Sequence, residues 1–595
     1  MKDEARSFVS GISGISGISR ALGLNNLRDV WPVWLALGVI TSVPYVVANL
    51  RTPQGTVFTG VLSAYDDTFT YFAWIRQSAD GHLLLSDLFT SEPQSREFFL
   101  PLWNIIGFTT RLTGVSVVLM FHIARLLAGL LLLMAARAVA QSMMKSRVRV
   151  RYTLWLYAMS GGLGWLVYAL KNRHDLLGAV SIAGSVDLNI PEAIAFRSVF
   201  AQVHFAVGIA LLCYAIKIFF SALVENKTSR AFGAGLLGSL LALVHPYMIV
   251  VVVSTTFVTV LTRGLVVDKS KDGPRNYMFH ARTLAAFGAA LIPGVGYLLY
   301  LNRTNEVLRE WLRVTDTLSP APQEYLLGFG FVAALAAVGF RLLWSNRSVY
   351  GRLLLIWALV QAALLYAPIS FQRRLVEGLQ LPLAIAASSA VFWIARKLFS
   401  GRVAPYRKIY LTAVIAICSI TNLGFIVGQL APNGAPGSAD SRRYVPVDLV
   451  AAFEWLRQTD SDAVLFSHYL TGNLAPSMTG LRVFLGHYGQ TINAEEKGAQ
   501  VTAFYTGAID DAFARQLFAK NGVRYVIYGP FERASYDVFV PPRWLRLARR
   551  FGDVDVFEVN QEAMANQIDQ CKSVESASSV MVYCQFCYRP RMTLI

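Results

Sequence analysis

Nine apolar runs, near 30–48, 115–142, 152–170, 198–221, 281–301, 326–344, 351–367, 382–398 and 408–430, are each about the length that carries a helix across a bilayer. A further stretch, 231–262, is too long for one span. It is interrupted at His245-Pro246, where proline removes a backbone donor and disfavours helix in the residue before it. It therefore reads as two short helices with a turn at His245. The expected fold class is a mostly α polytopic membrane protein with about 10–11 transmembrane helices over 30–430, followed by a small soluble α/β domain over 431–595. Only 15% of the residues are charged and 54% are hydrophobic, whereas soluble domains carry about 25% charged residues. The net charge of +17 does not point to nucleic acid, because the Lys and Arg residues sit in short gaps between apolar runs.

Those gaps fall into two alternating sets. Gaps 143–151, 222–230, 263–282, 341–352 and 396–408 hold 19 Lys and Arg against 3 Asp and Glu. Gaps 49–98, 171–197, 302–325 and 367–381 hold 11 against 14. Short cytoplasmic loops collect Lys and Arg, so the second set is expected outside, with His245 at the outer surface and the C-terminal domain extracytoplasmic. The bias holds only if 231–262 crosses twice. Lys2, Arg6, Arg20 and Arg28 precede the first run, and no convincing small-residue cleavage site follows it. Residues 1–29 therefore read as the cytoplasmic leader of an uncleaved anchor in a multi-pass plasma-membrane protein, and the Gly-Ile-Ser triplet at 11–19 receives no function.

The first outer loop is long and carries Ala64-Tyr65-Asp66-Asp67-Thr68, then Tyr71-Phe72-Ala73-Trp74, then Asp80-Gly81. Loops of this length between spans are usually functional. Adjacent carboxylates ahead of an aromatic stretch suit proton abstraction from an acceptor hydroxyl or metal binding, and they equally suit a solvated N-cap for a helix starting near Thr68. The first span, the Asp66-Asp67 pair, Tyr71-Phe72-Ala73-Trp74 and Asp80-Gly81 together resemble the GT-C superfamily of membrane glycosyltransferases. The resemblance implies a polyprenyl-phosphate-linked sugar donor, an inverting transfer, and either Asp66 or Asp67 as base. The acid pair lies further from the first span than that family's pattern suggests, which leaves the choice between the two open. A divalent metal on Asp66 and Asp67 is compatible with the pair but is not required by it.

The second outer loop gathers Glu192, Arg197, Gln202 and His204 where a helix re-enters lipid, and polar groups there are costly unless they face a cavity. With His245 they are candidates for a second acid or for acceptor binding, against a plain reading as helix caps and turn. In the fourth outer loop Arg373 and Arg374 stand on the side where the charge rule disfavours them. Arginine's planar fork of donors matches phosphate oxygens, so this pair suits the donor phosphate, or else snorkels to ordinary headgroups. The third loop, with Arg309, Trp311, Arg313 and Asp316, reads as an amphipathic interfacial helix without catalytic groups.

From Pro432 the composition turns to linker residues, then to strands near 463–466, 482–485 and 524–528 alternating with helices near 447–457, 494–506 and 509–520. Two polar stretches follow strands, the first with His468 and Tyr469, the second with His487, Tyr488 and Gln490. Open α/β sheets place binding residues there, so these are candidate acceptor contacts, or else docking loops. Cys571, Cys584 and Cys587 are one thiol short of a four-cysteine zinc site and read as one disulfide with a thiol left over. The sequence thus reads as a membrane glycosyltransferase passing sugar from a lipid-phosphate donor to a glycan, lipid or protein acceptor, with a transporter or flippase of lipid-linked sugars as the rival. Against the rival, no internal repeat is evident and the charges gather at the ends of spans.

Overall fold

The computed structural model describes residues 27–171, 184–262, 274–314, 316–346, 348–431, 442–459, 462–536 and 538–560. The leader with its Gly-Ile-Ser repeat, the linker residues that start at Pro432, and Cys571, Cys584 and Cys587 lie outside them. The described chain is mostly helical. Eight helices are long and apolar enough to cross a membrane: Leu27–Leu50, Val117–Met143, Arg147–Leu170, Val203–Glu225, Met278–Thr304, Pro322–Ser345, Gln372–Leu398 and Gly401–Leu430. Three shorter apolar helices, Thr228–Val244, Met248–Leu261 and Val349–Leu364, complete the bundle. The stretch 231–262 is divided as its proline dictates. One helix ends at Val244, with the His245 N–H still bonded to Leu241, and the next begins at Met248.

Buried charge ties the bundle together at two depths. Asp29, its side chain fully enclosed, accepts from Arg137 at 3.2 Å and from Arg151 at 2.7 Å, joining the first helix to the next two. Further along the same helices, Arg125 donates to Thr41, Ser42 and the Val199 carbonyl. An arginine this enclosed is tolerated because hydroxyls and a carbonyl replace its water shell.

The C-terminal α/β unit holds a five-stranded sheet. Its strands are β3 (Val464–Phe466), β4 (Arg482–Val483), β5 (Val523–Tyr528), β6 (Leu545–Phe551) and β7 (Val554–Val559), in the order β4-β3-β5-β7-β6. Strands β3, β4 and β5 run parallel, and the β6–β7 hairpin adds antiparallel to β5. Phe466, Phe484, Phe504, Phe518 and Trp544 fill its core. Two short strands, β1 (Thr56–Phe58) in the first loop and β2 (Tyr444–Pro446) at the start of the α/β unit, pair antiparallel and clip the unit to the bundle. The polar stretch after β3 is a helix, Tyr469–Thr479, rather than a loop. Gly472 lets it pack so closely that a Cβ there would stand 1.9 Å from the Leu485 carbonyl oxygen.

Removing Asp29 leaves Arg137 enclosed without its carboxylate, and breaking a buried pair in this way costs about 3 kcal/mol or more. Asp29→Ala is expected to lower the unfolding midpoint of the purified protein in detergent, while Arg147→Ala, altering a half-exposed side chain 3.8 Å from Asp29, leaves it nearly unchanged.

Candidate active site

The acid pair occupies the first turn of the helix Tyr65–Ala79. That helix starts three residues before Thr68. Ala64 ahead of it takes a left-handed conformation (φ 49°), unusual for a residue with a Cβ, and no side chain caps the end. Both carboxylates therefore sit where unpaired N–H groups favour negative charge. The Thr68 hydroxyl donates back to the Ala64 carbonyl at 2.8 Å and accepts from the Gln202 amide at 2.8 Å, which pins the turn to the bundle.

The two carboxylates have different surroundings. Asp66 Oδ1 accepts from Arg442 at 2.8 Å and from the Tyr469 hydroxyl at 2.6 Å, both from the α/β unit. Burial and this bond push the Tyr469 phenol well above its usual range, so it stays a donor. Asp67 is more open, its side chain 59% exposed, and has His487 Nε2 at 3.4 Å from Oδ1. His487 Nδ1 accepts the Gly489 N–H, which leaves the ring proton on Nε2, directed at Asp67. Tyr488 stacks on His487 with ring centroids 5.1 Å apart.

Beneath Asp67 lies an aromatic floor. Tyr71, one turn further along the helix, stacks on Trp103 at 4.5 Å and 7° and lies 4.8 Å from the His204 ring. The helix bearing Trp103 can come this close because Gly107 lies against the Asp66/Asp67 helix, where a Cβ would stand 2.5 Å from the Ile75 carbonyl oxygen. His204 in turn lies 5.1 Å from His245, whose Nε2 is 2.6 Å from Glu377 Oε1 in a fully enclosed pair. Arg374 lies over the Tyr247 ring at 5.0 Å, and Arg373 Nε is 3.9 Å from Glu192. Tyr71 sits among these charges. Burial first, then Asp67, push its phenol well above the usual range, with Arg374 acting in the opposite sense.

Of the residues singled out in the sequence, Asp66, Asp67, Glu192, His204, His245, Arg373, Arg374, Tyr469, His487 and Tyr488 thus border one region. Gln202 supports the acid turn from below. His245 is buried in the floor. Three candidates face elsewhere. Arg197 lies over the Phe425 ring at 3.5 Å and donates to the Leu188 carbonyl, fastening the second loop to the last span. His468 caps the helix Tyr469–Thr479 through the Leu470 N–H. Gln490 is buried in the turn after His487. Tyr71 entered the sequence reading only as part of the Tyr71-Phe72-Ala73-Trp74 motif, without a site role, and Trp103, Tyr247, Glu377 and Arg442 were not candidates. Glu377 had a signal, as the one acid in the loop bearing Arg373 and Arg374; Arg442 had none, since its partner lies 376 residues away.

Among the described residues no three His, Cys, Asp or Glu side chains converge as metal ligands. Arg442 and Tyr469 both bond Asp66 Oδ1, so Asp66 Oδ2 and the Asp67 carboxylate are the oxygens the pair could offer a cation.

No family model matches the sequence, and no curated protein matches it. The fold does have solved counterparts. The apo oligosaccharyltransferase of Archaeoglobus fulgidus matches with a TM-score of 0.50 at 13% identity over 83% of this chain and 69% of that one. ArnT from Cupriavidus metallidurans in the apo state matches with 0.51 at 12% identity over 89% and 98%. The arabinofuranosyltransferase AftD from Mycobacteria matches with 0.52 at 12% over 88% of this chain, which spans 40% of that enzyme's length.

The acid-bearing loop offers a test of pH dependence. Asp87 is buried, accepts the Phe89 N–H at 2.8 Å, and is pushed up by burial from the ordinary 3.8 to about 7. Between those values the folded protein holds a proton that the unfolded chain has released. Stability is therefore expected to fall by about 1.4 kcal/mol per pH unit across that window and to level off above it. Unfolding midpoints at pH 5 and pH 8 are expected to differ less in Asp87→Asn than in wild type.

Proposed function

We propose that this chain, whose fold is that of the GT-C membrane glycosyltransferases, transfers a sugar from a polyprenyl-phosphate donor to an acceptor hydroxyl at the extracytoplasmic face of a cell membrane. The observation that carries the reading is an open carboxylate, Asp67, one turn before Tyr71 on the rim of a ring floor that runs through His204, His245 and Tyr247 to the Arg374 guanidinium. A solved counterpart, ArnT from Cupriavidus metallidurans, binds undecaprenyl phosphate, which supports a donor of that class.

In this reading Asp67 is the base and Asp66 the carboxylate that docks the α/β unit. The His487 Nε2–H holds Asp67 Oδ1, so Oδ2 faces the acceptor. As the acceptor oxygen attacks the anomeric carbon, its proton passes to Asp67. The bond from that carbon to the donor phosphate breaks, and the electron pair leaves with the phosphate. Charge grows on the phosphate oxygens as the bond lengthens, and Arg374 and Arg373 stabilise it there. Attack from the face opposite the leaving group inverts the anomeric centre. The His245–Glu377 pair holds the floor behind Arg374, with His204 stacked against it.

Purified protein in lipid, given a panel of radiolabelled polyprenyl-phosphate sugars with acceptor, is expected to release sugar from at least one donor. Asp67→Asn should lower kcat by roughly 10²–10⁴-fold with the unfolding midpoint intact. Asp66→Asn should instead lower the midpoint, by at most the roughly 1.5–3 kcal/mol of a charge-assisted bond, since Asp66 is only part-buried. The opposite pattern would move the base role to Asp66, and donor binding without turnover in wild type would favour the transporter reading. At saturating acceptor, Arg374→Lys is expected to cut kcat/KM for the donor by roughly 10–100-fold, because an ammonium lacks the planar fork.

A further inference from the structure

A cleft of about 870 Å³ opens between the third-loop helix Glu306–Val314 and the helix Ala494–Tyr505 of the α/β unit. That volume lies in the roughly 300–1,000 Å³ range of small-ligand sites. Its inner wall is formed by Tyr469 and Tyr488, the residues that bond Asp66 and stack on the Asp67 partner His487. Its other wall is fixed to the same acid helix, because Trp311 packs against Trp74 with ring centroids 6.4 Å apart. The cleft is therefore parted from Asp66 by Tyr469 and from Asp67 by Tyr488 and His487.

We infer that this cleft binds the acceptor, and that the acceptor is an uncharged or amino-bearing glycan rather than a peptide or an anionic polymer. The inference rests on the glycosyltransferase reading and adds the substrate class. Tyr488 presents a ring that is 61% exposed beside carboxylates and an amide, the pairing of flat apolar face and hydrogen-bonding rim that a sugar ring satisfies. The walls carry Glu310, Glu495 and Glu496 against Arg313, and Arg313 is already bonded to Glu310 at 2.6 Å. This surplus of negative charge repels uronate or phosphate and accepts hydroxyl or ammonium protons. Among the described residues a peptide finds no free sheet edge on this side. The edge strand β4 is two residues long and already covered by the first loop, where the Val483 N–H bonds to Leu88 and Leu485 bridges to Thr90.

The test uses the full chain in nanodiscs and ligand-observed NMR with neutral trisaccharides of glucose, mannose and galactose, chitosan trimer, a galacturonate trimer and an unstructured peptide. At least one neutral or amino trimer is expected to bind, with the galacturonate and the peptide at least tenfold weaker. Tyr488→Ala should weaken that binding at least tenfold, while Asp67→Asn should leave it intact and still abolish transfer. The double variant Glu495→Gln, Glu496→Gln should admit the galacturonate trimer, which keeps the test informative if Tyr488→Ala folds poorly. Binding of no trimer, equal binding of galacturonate or peptide by wild type, or trimer binding indifferent to both sets of variants would overturn the inference. Trimer binding that follows these expectations in a protein that turns over no donor would leave the cleft standing and remove the glycosyltransferase reading.

Discussion

The carboxylate of Asp66 is the joint on which the site depends. It accepts from Arg442 at the start of the α/β unit and from Tyr469 after β3, so one side chain in the first loop holds two separate stretches of the C-terminal unit. The consequences spread outwards. With the unit held, the end of β4 brings His487 to Asp67, and Tyr488 reaches the cleft. Asp66 accepts two short hydrogen bonds, while its neighbour, one residue along the same turn, is held loosely by one long contact. Adjacent identical residues thus differ by environment alone, one bonded to the α/β unit and the other open.

Much of the bundle was legible because its determinants are local. Length and apolarity marked the spans, and Pro246 marked the break in 231–262, since a missing N–H acts on its own turn. In the α/β unit, β3, β4 and β5 were readable as short apolar runs. The β6–β7 hairpin was not, since Leu545–Phe551 alternates with arginines and gains strand character only from its partner. The helix Tyr469–Thr479 was hidden by Gly472 and Pro476, which argue against helix in isolation and are accommodated by close packing. At the site, the acid pair and the paired arginines stood out by type and position. The aromatic floor did not, because Trp103 looks like an ordinary apolar residue, and the Tyr71 of the motif gains its partner only where two helices meet at Gly107.

Asp29 and Arg125 bond side chains and backbone of neighbouring helices, and both lie on contacts that fix how helices pack, with Arg125 Nε and Arg137 Nε left unpaired. Polar capacity is left open near Asp67 as well. Among the described residues Glu377 Oε2 and His204 Nδ1 are enclosed without a hydrogen-bond partner. Both atoms lie in the floor beside Asp67, where a polar ligand would find them unpaired.

The small β1–β2 ladder has a role out of proportion to its length. Its register pairs Thr56 with Pro446, Val57 with Val445 and Phe58 with Tyr444, and Val445 is fully enclosed. A slip of one residue would turn Val445 outward and carry Arg442, two residues ahead of β2, by about 3.4 Å. That displacement exceeds the reach of its bond to Asp66. The ladder therefore works as a ruler, translating the count of residues in one loop into the distance between a guanidinium and a carboxylate. A single-residue insertion or deletion between Arg442 and Tyr444 would change the chemistry of the acid pair without touching it.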